Sequence, residues 1–255
     1  MKKPAAALLL YVIEALLGAS LVAEQTVEKP PLRVVMDNNY PPYVFTDDSS
    51  QPRGVLVDYW ARWRQMTGRA VEITAVDWAE ALRRMANGEF DVIDTIFRTP
   101  SREKIYSFSE PYEELSVSAF FHRDISGISS LDDLAGFVVG VKGGDAAIET
   151  LAAHGVTTVH TYPGYEDIIR AAKAGEIRVF VIDRPPALYF LSKYGLASSF
   201  RELPSVSAGE FHRAVLKGNE GLLREIEDGF ARLGPERFDE VEGGISEALG
   251  EVPGR

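Results

Sequence analysis

The sequence predicts an α/β protein built as two lobes. Short β-branched apolar runs alternate with segments of helical period, and that alternation occurs twice in series. The chain has 255 residues, 45% hydrophobic and 25% charged, which supplies a core for one large or two modest domains. Strands alternating with helices of this length imply mostly parallel sheets flanked by helices on both faces.

The elements follow in order. LRVVMD (32–37) reads as a strand that breaks at NNYPPY, because paired prolines cannot continue a ladder. DDSSQPRG (47–54) is a turn cluster, and VLVDYWARWRQMTG (55–68) has apolar residues at helical spacing with Gly68 as its stop. Its Trp60 and Trp63 read as helix packing. AVEITAV (70–76) is a second strand, DWAEALRRMANG (77–88) a helix capped by Asp77 and ended by Gly88, and FDVIDTIF (90–97) a buried strand. After SVSAFFHR (116–123) the second series runs through a helix-like SLDDLAG, strand FVVGVKG, helix DAAIETLAAHG, strand TVHTY, helix YEDIIRAAKAG and strand IRVFVID. NEGLLREIEDGFARLG (219–234) and PERFDEVEGGISEALG (235–250) are helical by period. In open parallel sheets ligands bind beyond the carboxyl ends of the strands, which selects the loops at Asp37 to Tyr43, Asp94 to Arg102, Gly143 to Ala146 and Asp183 to Pro186.

Composition excludes several functions. A net charge of −11 removes the electrostatic footprint of a nucleic-acid or anionic-lipid binder. The chain has no cysteine, so thiolate metal sites, disulfides, a thiol nucleophile and a lipidated N-terminal cysteine are all excluded. His122, His154, His160 and His212 are scattered without a carboxylate pattern, and no metal site is expected. GVKGGDAA lacks the Gly-Lys-Ser/Thr ending of a phosphate loop, so no nucleotide cofactor is expected either. Residues 1–23 place Lys2 and Lys3 before an apolar run that ends in small residues, the layout of a secretory signal peptide that implies export; an uncleaved N-terminal anchor is the alternative, since Glu14 interrupts the run.

The stretch DWAEALRRMANGEFDVI followed by TPSREKIYSFSEPY resembles extracellular solute-binding proteins of family 3, the polar amino acid type. Trp78, Leu82, Gly88, Asp91, Thr99, Arg102, Phe108 and Tyr112 keep that family's order and spacing. MDNNYPPYVF, VVGVKGGDA, VFVIDRPPALYFL and HRAVLKGNEGLLREI extend the likeness over most of the chain. The resemblance implies a type II periplasmic binding fold, with two hinge crossings and closure on a small ligand. It divides the chain into 31–113 and 209–255 as the first lobe and 114–208 as the second.

It also implies a set of ligand-binding positions. Arg102 corresponds to the arginine that grips an α-carboxylate, a task suited to the guanidinium fork. Tyr40 is similar to the ring that stacks over the ligand, Asp183 to the acid that receives an α-ammonium, and Gly144 to Ala146 to the helix N-terminus that completes the carboxylate site. Phe97 stands where the amino acid binders usually have a hydroxyl or small residue, and Asp145 and Ala146 stand in place of Ser/Thr-Thr. Asp145 is either a helix cap or a cleft carboxylate that favours a cationic ligand. Arg98 either offsets that charge or is an exposed strand-end arginine.

The function implied is non-catalytic capture of an amino acid or related organic acid by a monomer serving an ABC permease. Two alternatives stand beside it. One is a ligand-sensing module for a membrane histidine kinase or cyclase, to whose binding domains DVIDTIFRTPSRE and FFHRDISGI are closer in wording. The other is a cyclohexadienyl dehydratase-like enzyme using Asp145 or Glu210.

Overall fold

The computed structural model describes residues 29–234. The signal peptide over 1–23 and the second tail helix over 235–250 lie outside the described residues. Strand β1 (Leu32–Asp37) pairs in parallel with β5 (Val71–Val76) and with β6 (Val92–Ile96), and a small antiparallel sheet of β2 (Asn39–Tyr40), β3 (Val44–Thr46) and β4 (Pro52–Arg53) lies between β1 and β5 in sequence. Helix α1 (Val55–Thr67) precedes β5, and α2 (Trp78–Ala86) joins β5 to β6. All five residues of β6 are buried, as expected of a parallel strand covered on both faces.

A second parallel group forms from β9 (Val139–Lys142), β10 (Val159–Tyr162) and β11 (Val179–Asp183). Its helices are α3 (Ala147–Ala153), α4 (Tyr165–Ala174) and α5 (Arg184–Lys193). SLDDLAG forms a 3-10 turn over Asp132–Leu134 in place of a full helix. Asp133 explains the shortness: its carboxylate collects the backbone N–H groups of Ser129 and Ser130, a local alternative to helical hydrogen bonding.

Two long antiparallel strands join the groups. Strand β8 (Glu113–His122) pairs with β12 (Phe200–Leu216) from Phe200 opposite His122 to Phe211 opposite Glu113. The sheet order is β10-β9-β11-β8-β12-β6-β1-β5, with the short β7 (Tyr106–Phe108) also on β12. The pairing jumps from Leu203 opposite Ala119 to Ser207 opposite Val117, so β12 carries surplus residues at that point. The sequence pattern of strand, helix, strand missed the continuity of β12, since Pro204 and Gly209 interrupt any alternation there.

Helix α6 (Glu220–Leu233) closes the first half against α1. Trp60 and Trp63 are fully buried, with Phe230 edge-on to Trp60 at 4.9 Å. Gly229 permits this approach, because a Cβ there would lie 2.1 Å from Trp63 Nε1. Aromatic pairs of this kind add about 0.5–1.5 kcal/mol beyond the area they bury.

Candidate functional site

The residues that meet between the two parallel groups come from strand ends and helix starts. Asp37 ends β1, Trp78 begins α2, Thr95 and Phe97 lie at the end of β6, Lys142 ends β9, Tyr165 begins α4 and Asp183 ends β11. Asp37, Tyr40, Trp78, Thr95, Phe97, Arg102, Asp145, Ala146, Tyr165 and Asp183 line one cleft with about 20 Å³ of enclosed free space, room for about one water molecule. Six of the eight positions singled out in the sequence are therefore brought together. Of the other two, Gly144 contributes its carbonyl behind the cleft wall, and Arg98 is exposed, ion-paired to Glu103 at 2.5 Å, and faces an adjoining wider groove.

Arg102 is 7% exposed, and its guanidinium is held from both sides. Nη1 donates to the Phe97 carbonyl at 2.7 Å and Nη2 to the Gly144 carbonyl at 2.7 Å, while the group lies 5.6 Å from the Trp78 ring centre. Five N–H donors in a fork leave three for another partner. Burial lowers its pKa, but an arginine starts so high that it stays charged.

Across the cleft, Asp183 accepts from Tyr40 Oη at 2.6 Å and Tyr165 Oη at 2.8 Å, both at Oδ2. Its Oδ1 is buried with no hydrogen-bond partner. Tyr165 Oη is also 3.0 Å from Asp145 Oδ2. One hydroxyl hydrogen shared by two carboxylates leaves them short of donors, a deficit that a further proton or a cation fills. Asp183 is the group placed to hold such a proton: burial, and then the charge of Asp145, push its pKa to about 7 against the opposing pull of both hydroxyls and Lys142. Burial first, then the neighbouring carboxylates, hold both tyrosines well above their ordinary range. Asp145 makes two contacts: Oδ1 accepts the Ala147 N–H at 2.8 Å at the start of α3, and Oδ2 lies 3.0 Å from Tyr165 Oη in the cleft lining.

Three features were not selected from the sequence. Lys142 is fully buried and bonds Asp37 across the two groups, a partnership 105 residues apart in sequence. Tyr165 bridges the two carboxylates. Thr95 has φ 62°, in the left-handed region that is costly for a β-branched residue at about 1–3 kcal/mol. Asp94 over-determines it: Oδ1 accepts the Thr95 N–H at 2.7 Å and Tyr112 Oη at 2.7 Å, and Oδ2 accepts Trp60 Nε1 at 2.6 Å. The only advance signal for Lys142 and Tyr165 was position, at a strand end and a helix start. Phe97 owes its place to Gly209 on β12, where a Cβ would lie 1.9 Å from the ring.

Polar contacts span the two groups throughout: Tyr40 to Asp183, Lys142 to Asp37, Arg102 to Gly144, Ser101 Oγ to Glu149 at 2.5 Å, and Glu166 N to Asn39 Oδ1 at 2.9 Å. The arrangement is closed. It opposes a cationic wall, Arg102, to an acidic one, Asp145 with Asp183.

The family model for bacterial extracellular solute-binding proteins, family 3, matches residues 32–240. The chain belongs to that family. This solute-binding protein is 28% identical over 215 residues to the L-cystine-binding protein TcyJ of Escherichia coli strain K12, covering 81% of this chain and 78% of that one. Among solved structures it is similar to a histidine kinase sensor domain that itself resembles periplasmic binding proteins, with TM-score 0.75, 24% identity, and 89% and 97% of the two chains covered. It is also similar to an ancestral arginine-binding protein bound to arginine, with TM-score 0.72, 23% identity, and 89% and 100% covered. The fold is that of the type II periplasmic binding proteins, as the sequence led us to expect, and β8 and β12 join its two parallel groups. Among the described residues no helix is long and apolar enough to cross a membrane.

Proposed function

We propose that this protein captures a small amino acid or related zwitterion in the cleft and presents the closed form to a membrane partner. The ligand carboxylate takes the free N–H groups of Arg102, and its ammonium takes Asp183 Oδ1. The observation that carries this reading is the facing of two unsatisfied, opposite groups across one cleft: an arginine with donors to spare, and a buried carboxylate oxygen without a donor. Buried polar groups are nearly always partnered, so the orphan oxygen has the character of a receptor atom. Tyr40 and Trp78 supply the apolar walls, and a ligand that touches both lobes shifts the hinge equilibrium toward closure.

Export through the N-terminal signal and residence in the periplasm complete the reading, with 31–113 and 209–255 as one lobe and 114–208 as the other. An ABC permease is the partner of the transport form. The likeness to a histidine kinase sensor domain favours, as a second reading, the same binding chemistry coupled to a membrane kinase. Catalysis is not part of the proposal. Asp145 lies in the cleft, but Glu210 is half exposed in the adjoining groove, and purified protein is expected to leave prephenate and arogenate unchanged.

Calorimetric titration of the twenty common L-amino acids into purified protein tests the binding reading. One or more should bind, and Arg102→Ala should weaken that binding; equal affinity in wild type and variant would remove the carboxylate anchor.

A further inference from the structure

Beside the cleft lies a wider groove with about 630 Å³ of free space, and Phe97 and Ala146 line both. Its walls come from the loop after β6, from helix α3, and from the strands β8 and β12 that join the two parallel groups. The groove is acidic. Glu114 of β8 and Glu210 of β12 are direct partners across the antiparallel ladder, and Glu149 of α3 adds a third carboxylate. Like charges set directly opposite one another weaken a strand pair, so this pair is a local cost that a bound cation removes. Arg98 also lines the groove, but Glu103 already holds its guanidinium.

His212 supplies an independent sign of a ligand. It lines the same groove and is 2% exposed. Its Nδ1 lies 2.8 Å from the Ser109 carbonyl, which can only accept, so Nδ1 carries a hydrogen. The neutral ring then presents a lone pair at Nε2, and among the described residues that buried atom has no hydrogen-bond partner. Glu210 Oε2, 3.8 Å away, is another acceptor and stands beyond hydrogen-bond reach. Buried acceptors are nearly always satisfied, and this one adjoins a carboxylate pair that also lacks a cation. The shared need is for positive charge that carries N–H donors. Among the described residues no group of histidines and carboxylates is arranged to hold a metal ion, which leaves an organic ammonium.

We propose that this groove is a second binding site, separate from the amino acid cleft, for a small aliphatic diamine. One ammonium group donates to His212 Nε2 and to the carboxylates of Glu114 and Glu210. The other takes Glu149, and the carbon chain runs over the apolar surface of Phe97, Val117 and Ala147. The site does not depend on the roles of Arg102 and Asp183, neither of which lines the groove.

The test titrates 1,4-diaminobutane at low salt into wild type, into the double variant Glu114→Gln with Glu210→Gln, and into Asp183→Asn, with each fold checked by thermal melting. Wild type should bind with a dissociation constant below about 1 mM. The double variant should lose at least about tenfold and, with a like-charge pair removed, should melt no lower than wild type. Asp183→Asn should keep the wild-type affinity, because the amino acid cleft takes no part. The hexamethylated diamine has the same two charges and no N–H, and it should bind at least about tenfold more weakly. In NMR spectra the Nε2 resonance of the His212 ring should move with the diamine and stay in place with the methylated analogue. A wild type that does not bind, a double variant with wild-type affinity, or a loss of binding in Asp183→Asn each overturns the groove site. Equal binding of the two diamines, or a His212 resonance that ignores both, overturns the recognition assigned to that ring and the proposal with it.

Discussion

Two buried aspartates lie in strands of the two parallel groups, Asp94 in the middle of β6 and Asp183 at the end of β11, and they are treated differently. Asp94, in β6, receives donors at both oxygens, from Thr95 N–H, Tyr112 Oη and Trp60 Nε1, with Arg213 Nε a further 3.4 Å away. Asp183, at the end of β11, receives two hydroxyls at one oxygen and nothing at the other, with a second carboxylate sharing one of its donors. Burial alone does not distinguish scaffold from receptor. A carboxylate fully solvated by protein donors holds the fold, and one left with an orphan oxygen and a competing neighbour is poised to take a cation.

The largest effect should come from breaking the satisfied member. Asp94→Ala removes the carboxylate that accepts from Trp60 Nε1, Tyr112 Oη and the Thr95 N–H and lies beside Arg213, and urea unfolding should register a loss of about 3–5 kcal/mol. Asp183→Asn, by contrast, should leave stability near pH 8 unchanged or higher, since it removes a carboxylate that burial penalises, while abolishing amino acid binding in the same protein. A matching loss of stability in both variants would erase the distinction. Next in size, Arg102→Ala should weaken the bound amino acid by about 1.5–3 kcal/mol, the range for a charge-assisted hydrogen bond, read by calorimetry. Gly209→Ala probes the cleft from its far wall. Its methyl group must displace the Phe97 ring, so a stability loss of about 1–3 kcal/mol is expected on thermal melting, with weaker binding alongside.

The smallest and most graded effect is pH. Asp183 has a folded pKa of about 7 against an ordinary 3.8, so its protonated form favours the ligand-free folded chain. That contribution is complete below the ordinary value and is lost as pH rises through about 7. The ligand ammonium requires the ionised form, so affinity should rise with pH across the same window, by at most about tenfold per unit. Titrations in buffers of different ionisation enthalpy should show proton release on binding near neutrality, and a flat profile would detach Asp183 from the ammonium.

Much of this was legible in the sequence, for identifiable reasons. Alternating strands and helices fix the parallel groups, and the carboxyl-end rule points to the loops that hold Asp37, Arg102, Asp145 and Asp183. The spacing from Trp78 to Tyr112 supports the family and, through it, the roles assigned to Tyr40, Arg102 and Asp183. Lys142 was hidden because its partner is 105 residues away and nothing local marks a strand-end lysine as buried. Tyr165 reads as an ordinary first-turn aromatic until Asp145 and Asp183 are placed beside it. Arg98 illustrates the converse: it lies next to Phe97 in sequence, but Glu103 holds it on the outside.

The surplus residues of β12 near Leu203 and Ser207 bear on how easily the halves part. A two-strand ribbon with slack already built into one member can twist there without giving up further ladder bonds. The contacts that tie the two halves together at the cleft, Tyr40 to Asp183, Lys142 to Asp37 and Arg102 to Gly144, are by contrast all made by side chains, two of them pairs of titratable groups of the kind that pH and ligand charge can loosen.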